Sequence, residues 1–157
     1  PDLKRYSRLV KFCLRNCSFH ISFLREIHHL INLKEFYLNN CMLSGMSNNC
    51  IDLSLGTARL EVLIIHIPYY DFNLESLSRT CLRISGLALS KQTLTTLELI
   101  NTSFSSDVIT NFVDHGTLKR LSFRPPNGTS LSTLQIHSLD FLALELSESV
   151  SVFKPYT

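Results

Sequence analysis

The chain has 157 residues, which is enough for one domain and too few for two domains of typical size. Hydrophobic residues make up 45% of the sequence and charged residues 18%, a composition that excludes a disordered segment and a coiled coil. The net charge is +2, from 15 basic and 13 acidic residues. Because the basic residues are scattered, the sequence argues against a nucleic-acid-binding surface, which needs clustered positive charge.

The ends of the chain and its cysteines bear on its cellular location. No apolar run approaches the roughly 18 residues that cross a bilayer, so we expect no membrane insertion. The chain starts at Pro1 without a signal-peptide pattern, and we interpret residues 1–157 as a single domain from a longer chain. Five cysteines, none in a Cys-x-x-Cys motif, favour a reducing compartment. We therefore expect a cytoplasmic or nuclear location, and a secreted one stays open.

An internal repeat organises the sequence. Residues 9–17 and 33–41 both read Leu-x-x-Phe-x-Leu-x-Asn-Cys and begin 24 positions apart. Four looser windows begin at Leu60, Leu94, Leu118 and Leu139. The step from Leu60 to Leu94 is the longest, and it requires either an insertion or a further irregular repeat around residues 82–89.

Each window predicts one short strand. Apolar residues at the first, fourth and sixth positions face inward, and the alternation of a strand sends the third, fifth and seventh outward. Parallel stacking of such strands creates a core that no single repeat could bury. At the ninth position, Cys17 and Cys41 can satisfy backbone groups where the chain turns. Pro68 and Pro126 take that place in the third and fifth windows, which predicts irregular turns there.

The segments between the windows carry weaker signals. Apolar spacing predicts a helix in 18–31, and a shorter helix is predicted in 72–79. A capped segment that ends in glycine predicts another helix in 105–116. Residues 42–59 are expected to form loops around a short extended piece at 51–55. A turn is expected at 125–130.

The windows together resemble the leucine-rich repeat, Leu-x-x-Leu-x-Leu-x-x-Asn/Cys-x-Leu, which has a period of 20–29 residues. The length of the steps is similar to the ribonuclease-inhibitor and cysteine-containing types. The resemblance implies an α/β fold: an irregular solenoid of five to seven turns that spans most of the chain. Parallel strands would line its concave face, and short helices or loops would lie on its convex face.

Motifs for catalysis are missing from the sequence. There is no glycine-rich phosphate loop, no Gly-x-Ser-x-Gly and no His-Glu-x-x-His. The cysteines and histidines lack two pairs with zinc-ligand spacing, and we interpret the pair at 28–29 as solvated histidines. We therefore expect no enzymatic activity, no cofactor and no metal site.

The outward strand positions are the predicted contact surface. Arginine and aromatic residues are enriched at the energetic centres of protein interfaces, and the concave face of a solenoid is its usual contact surface. The predicted partner is therefore another protein. The predicted partner-binding residues are Lys11, Arg15, Glu35, Tyr37, Asn39, His66, Glu98, Arg120 and Arg124.

Three functional hypotheses remain at this point. The two cysteine-ended repeats are similar to those of F-box proteins with leucine-rich repeats. This resemblance implies the substrate-recognition domain of an F-box-type ubiquitin-ligase receptor, which would bind a ligase adaptor through a segment absent here. The first alternative is an innate-immune or receptor-type ligand-recognition domain. The second is an enzyme of unknown class.

Overall fold

The computed structural model describes residues 2–45, 50–67, 81–100, 117–123, 141–145 and 150–151, the last two ranges and residues 50 and 81 by their backbone only. The helices expected in 72–79 and 105–116, the turn at 125–130, and both prolines at ninth positions lie outside the described residues.

Strands make up most of the regular structure in these ranges. In chain order they are β1 (Lys11–Arg15), β2 (Ser18–His20), β3 (Glu35–Asn39), β4 (Met42–Ser44), β5 (Cys50–Ser54), β6 (Val62–His66), β7 (Cys81–Ser85), β8 (Thr96–Ile100), β9 (Arg120–Phe123), β10 (Phe141–Glu145) and β11 (Val150–Ser151). The helical pieces are α1 (Ser22–Arg25) and the 3₁₀ turns Leu3–Tyr6, Glu26–His29 and Leu87–Ser90.

Seven strands form the main sheet, in the order β1-β3-β6-β8-β9-β10-β11. The first six are parallel, and β11 pairs antiparallel with β10. The register aligns the first residues of these six strands: Lys11, Glu35, Val62, Thr96, Arg120 and Phe141. Each is the third residue of a leucine window. The six predicted strands and their parallel stacking are therefore confirmed, in a mixed α/β fold.

The even positions of these strands form the core. Between β3 and β9 they are at most 1% exposed: Phe36, Leu38, Leu63, Ile65, Leu97, Leu99, Leu121 and Phe123. Leucines that open the windows, such as Leu33 and Leu60, are also buried. On β1, Phe12 and Leu14 are only partly buried, because β1 is the edge strand of the sheet. The ring of Phe12 stacks on that of Phe36, with centroids 6.0 Å apart.

Two asparagines turn the chain at the ends of β1 and β3. Asn16 and Asn40 have positive φ values of 50° and 52°, a left-handed conformation that asparagine tolerates better than most residues. The Nδ2 group of Asn40 donates to Oδ1 of Asn16 over 2.8 Å, so the two turns are linked side chain to side chain. The thiol of the buried Cys41 donates to the carbonyl of Asn39 over 3.4 Å, which supports the expected role of the ninth position.

After these turns the chain forms a second layer of short parallel pairs, β2 with β4 and β5 with β7. The expected helix over 18–31 is therefore wrong at its start, because Ser18–His20 is strand β2. Its backbone is used in pairing with β4, and helical structure begins only at Ser22. The loop expected after Cys41 is also wrong, since Met42–Ser44 is β4.

The extended piece expected at 51–55 is confirmed, with β5 at Cys50–Ser54. Residues 82–89, where either an insertion or a further irregular repeat is expected, lie in β7 and a 3₁₀ turn, and β7 pairs with β5 outside the main sheet. Gly86, with φ +83°, stands between β7 and the 3₁₀ turn, and a Cβ on it would lie 2.7 Å from the carbonyl oxygen of Gly56. Only glycine fits this close approach without strain.

Replacement of Leu97 by alanine tests the register of the core. Leu97 is fully buried, so we expect a loss of about 2–5 kcal/mol in the free energy of unfolding, measured by urea denaturation. Leu89→Ala is the matched control, because Leu89 is 49% exposed and its loss should leave stability nearly unchanged. Equal effects of the two substitutions would contradict the register.

Candidate functional site

The outward residues of the parallel strands share one face of the main sheet. We call this surface the open face and define it by the first, third and fifth residues of β1, β3, β6 and β8 with the first and third residues of β9. Alternation along each strand and the common register bring these side chains together. Most are exposed or half-buried, whereas Glu98 and Ser122 are only 8% and 7% exposed.

A cluster of charged and aromatic groups spans β1 and β3. The Lys11 Nζ atom lies 2.6 Å from Oε2 of Glu35, and the Tyr37 hydroxyl donates to the same oxygen over 3.0 Å. The Lys11 ammonium also stands 4.7 Å from the centroid of the Tyr37 ring, a cation–π distance. Three of the predicted partner-binding residues are thus brought together, and each fixes the position of the others.

The contacts within the cluster favour the charged forms of Lys11 and Glu35, and Tyr37 is held as the neutral phenol, as the directions of their pKa shifts indicate. The hydrogen bond from Lys11, followed by that from Tyr37, lowers the pKa of Glu35. The same contact with Glu35 raises the pKa of Lys11. Burial, and then the bond to Glu35, raises the pKa of the Tyr37 phenol. Lys11 and Glu35 are therefore both charged at neutral pH, and their charges largely cancel.

A second cluster crosses β6, β8 and β9. Glu98 lies at its centre: its Oε2 is 3.2 Å from Nε2 of His66, and its Oε1 accepts from Nε of Arg120 over 2.5 Å. The carboxylate is nearly buried, whereas 51% of the Arg120 side chain remains exposed. Sequence reasoning placed all three residues on this surface but gave no sign that Glu98 would be covered by its neighbours.

Between the two clusters the open face is apolar. Val62 and Ile64 on β6 are half-buried, and the register places Ile64 between Tyr37 on β3 and Glu98 on β8. Ile100, also half-buried, extends the apolar surface on the far side of His66. Half-exposed aliphatic side chains bordered by paired charges form a surface that a partner can desolvate at low electrostatic cost.

One positive charge on the open face is not neutralised. Arg15 is exposed, and within the described ranges its guanidinium has no hydrogen-bond or ion-pair partner. Its registered neighbour Asn39 is half-buried. Arg124, the last predicted partner-binding residue, lies outside the described residues. The other eight all lie on the open face.

Two further findings concern the described part of the chain, and a third concerns the whole sequence. No helix there is long and apolar enough to cross a membrane. No group of three or more histidine, cysteine or acidic side chains among those residues could hold a metal ion. Comparison of the chain with protein-family models, with curated proteins and with solved structures found no match.

Replacement of Glu98 by alanine tests the second cluster. It removes a nearly buried acceptor of a charged hydrogen bond, so we expect a loss of about 1.5–3 kcal/mol in the free energy of unfolding. Glu61→Ala is the matched control, because Glu61 and its partner Lys34 are both about half exposed and such pairs contribute little. Both variants are compared by urea denaturation. A loss no greater for Glu98 than for Glu61 would contradict the central role of Glu98.

The Lys11–Glu35 contact predicts a pH dependence. Because the pKa of Glu35 is lowered in the folded protein, the pair stabilises the fold above the ordinary glutamate pKa, and this contribution is lost as the pH falls through the lowered value. Lys11→Gln should move the Glu35 pKa upward, as measured by carbon NMR titration of its carboxyl group. Lys4→Gln, at an exposed lysine outside the sheet, should leave the Glu35 pKa unchanged. The same Glu35 pKa in Lys11→Gln and in the unmodified protein would contradict the contact.

Proposed function

We propose that this chain is a protein-binding module, a leucine-rich-repeat solenoid of five to seven turns whose open face is its concave contact surface. The observation that carries the proposal is the common register of six parallel strands at the positions of the leucine windows. An array of hydrogen-bonded strands presents side chains in fixed positions, and this lowers the entropy cost of binding.

The chemistry of the open face supports a protein as partner. The face offers a central aliphatic strip, an anchored aromatic residue in Tyr37 and two arginines, Arg15 and Arg120. Tyrosine and arginine are the residue types most often found at the energetic centres of protein interfaces. Its ion pairs leave little net charge, which fits a mixed protein surface better than a polyanion such as nucleic acid.

The narrower proposal is that this module recognises the substrate of an F-box-type ubiquitin-ligase receptor. Its support is the resemblance of the two cysteine-ended repeats to that family, together with the thiols of Cys13 and Cys17, which are not in disulfides. Free thiols suit a reducing compartment. Ligase adaptor binding would then belong to a segment outside these 157 residues.

The first experiment compares the partners of three forms of the protein, each purified from its own cells and measured by quantitative mass spectrometry. The test variant combines Arg15→Glu with Tyr37→Ala on the open face. The matched control combines Arg59→Glu with Tyr6→Ala, which changes the same residue types at exposed positions away from that face. We expect at least one partner to fall about tenfold or more with the test variant, and to be retained by the control.

The two levels of the proposal fail separately. If both variants retain every partner equally, the open face is not the contact surface. If the test variant loses a partner, binding is repeated with the purified partner and each folded variant, so that a loss of folding is not mistaken for a loss of contact. Recovery of a cullin-ligase adaptor supports the ubiquitin-ligase proposal. If signalling or secreted partners are lost from the test variant and no adaptor is recovered, the ubiquitin-ligase proposal is contradicted. That result favours the alternative, an innate-immune or receptor-type ligand-recognition domain.

A further inference from the structure

Two cysteines meet where the first two repeats turn. The Sγ atoms of Cys17 and Cys41 lie 3.4 Å apart and are not joined in a disulfide. Cys17 is half-buried, so a small solute can reach its sulfur, whereas Cys41 is fully buried. The third described thiol, Cys13, is exposed on the open face. The arrangement thus offers one accessible sulfur in contact with one that solvent does not reach.

The backbone around this pair is held in place from both sides. The amide of Asn16 donates to the carbonyl of Asn39 over 3.1 Å, and the amide of Met42 donates to the carbonyl of Cys17 over 2.8 Å. Arg15 is opposite Asn39 in the β1–β3 pairing, and Ser18 is opposite Met42 in the β2–β4 pairing. The two bonds connect these pairings, so Cys17 and Cys41 lie side by side on neighbouring segments of the chain. Neighbouring strands lie about 4.8 Å apart, within the Cα range of about 4.4–6.8 Å that a disulfide requires.

We propose that Cys17 and Cys41 form a reversible disulfide that links the first two repeats at the edge of the sheet. The repeat itself produces this site, because the same ninth position of two consecutive windows carries cysteine. The proposal rests on the geometry of the pair and does not depend on the proposed function.

Thiol–disulfide exchange with a small disulfide such as oxidised glutathione supplies the chemistry. The Cys17 thiolate attacks one glutathione sulfur, which forms a mixed disulfide and releases one glutathione. Cys41 then loses its proton and attacks the Cys17 sulfur, and the second glutathione leaves. The two cysteines lose two electrons, one oxidised glutathione is reduced to two thiols, and the two cysteine protons go to them.

Burial and the hydrogen bond with Cys41 raise the pKa of Cys17. Little thiolate is therefore present at neutral pH, and the first step should become faster as the pH rises.

The experiment incubates the folded protein in buffers that range from reduced to oxidised glutathione, followed by acid quenching, alkylation of free thiols and peptide mass spectrometry. Cleavage after Arg15 separates Cys13 from Cys17. We expect a linked pair of peptides whose fragment spectrum joins Cys17 to Cys41. The linked protein should melt about 5–10 °C higher than the reduced protein, because the bond restricts the unfolded chain.

Three variants separate the steps. Cys13→Ser should leave the linkage intact. Cys41→Ser should accumulate the mixed disulfide of Cys17 with glutathione, because the second step has lost its nucleophile. Cys17→Ser should leave Cys41 as a free thiol, since solvent does not reach it. Circular dichroism checks that each variant is folded.

The proposal is overturned if the folded wild-type protein, in fully oxidised glutathione, carries glutathione on Cys17 while Cys41 remains free. It is overturned equally if Cys17 pairs with Cys13, or if neither Cys17 nor Cys41 is oxidised.

Discussion

The common register of the parallel strands is the constraint on which the rest of the structure depends. A shift of one residue in a strand would turn its buried apolar residues outward and its outward residues into the core, which on β1, β3, β8 and β9 would bury charged groups. The register is held because the buried positions repeat in every strand, from Phe36 on β3 to Leu121 on β9. Burial of each large apolar side chain stabilises the fold by about 1.5–3 kcal/mol, which is far more than a single exposed ion pair contributes.

The same register decides the chemistry of the open face. Lys11 meets Glu35 at equal positions on neighbouring strands. Glu98 instead meets Arg120 diagonally, because the register places Ser122 opposite Glu98 and Thr96 opposite Arg120. A surface with several charges therefore carries little unpaired charge, and among its described residues Arg15, exposed at the edge, is a charged group without an ion-pair partner. A partner that covers the aliphatic strip would not need to neutralise a strong field. This is the physical reason to favour a protein over a polyanion.

The turn that follows β1 brings the cysteine pair close to the edge of the sheet, where the core is least covered by neighbouring strands among those described. The left-handed asparagines direct the chain out of the main sheet, and the next residue of each repeat is the cysteine. The β1 strand has a neighbour on one side only, so Phe12 and Leu14 are less buried than their counterparts on β3. A covalent bond between Cys17 and Cys41 would strengthen the region where burial contributes least.

The sequence by itself determined the six main strands and their order, the inward and outward residues of β1, β3, β6, β8 and β9, and eight of the nine predicted contact residues on a single face. It could do so because a repeated pattern of leucines at alternating positions admits one way to bury them all. Tertiary structure alone decided the rest. Ser18–His20 became a strand rather than the start of a helix because β4 lies beside it, and that pairing between distant residues outweighs local helical spacing. Likewise, Glu98 is nearly buried, and His66 and Arg120 reach it from neighbouring strands although they are separated from it by 32 and 22 residues in the chain.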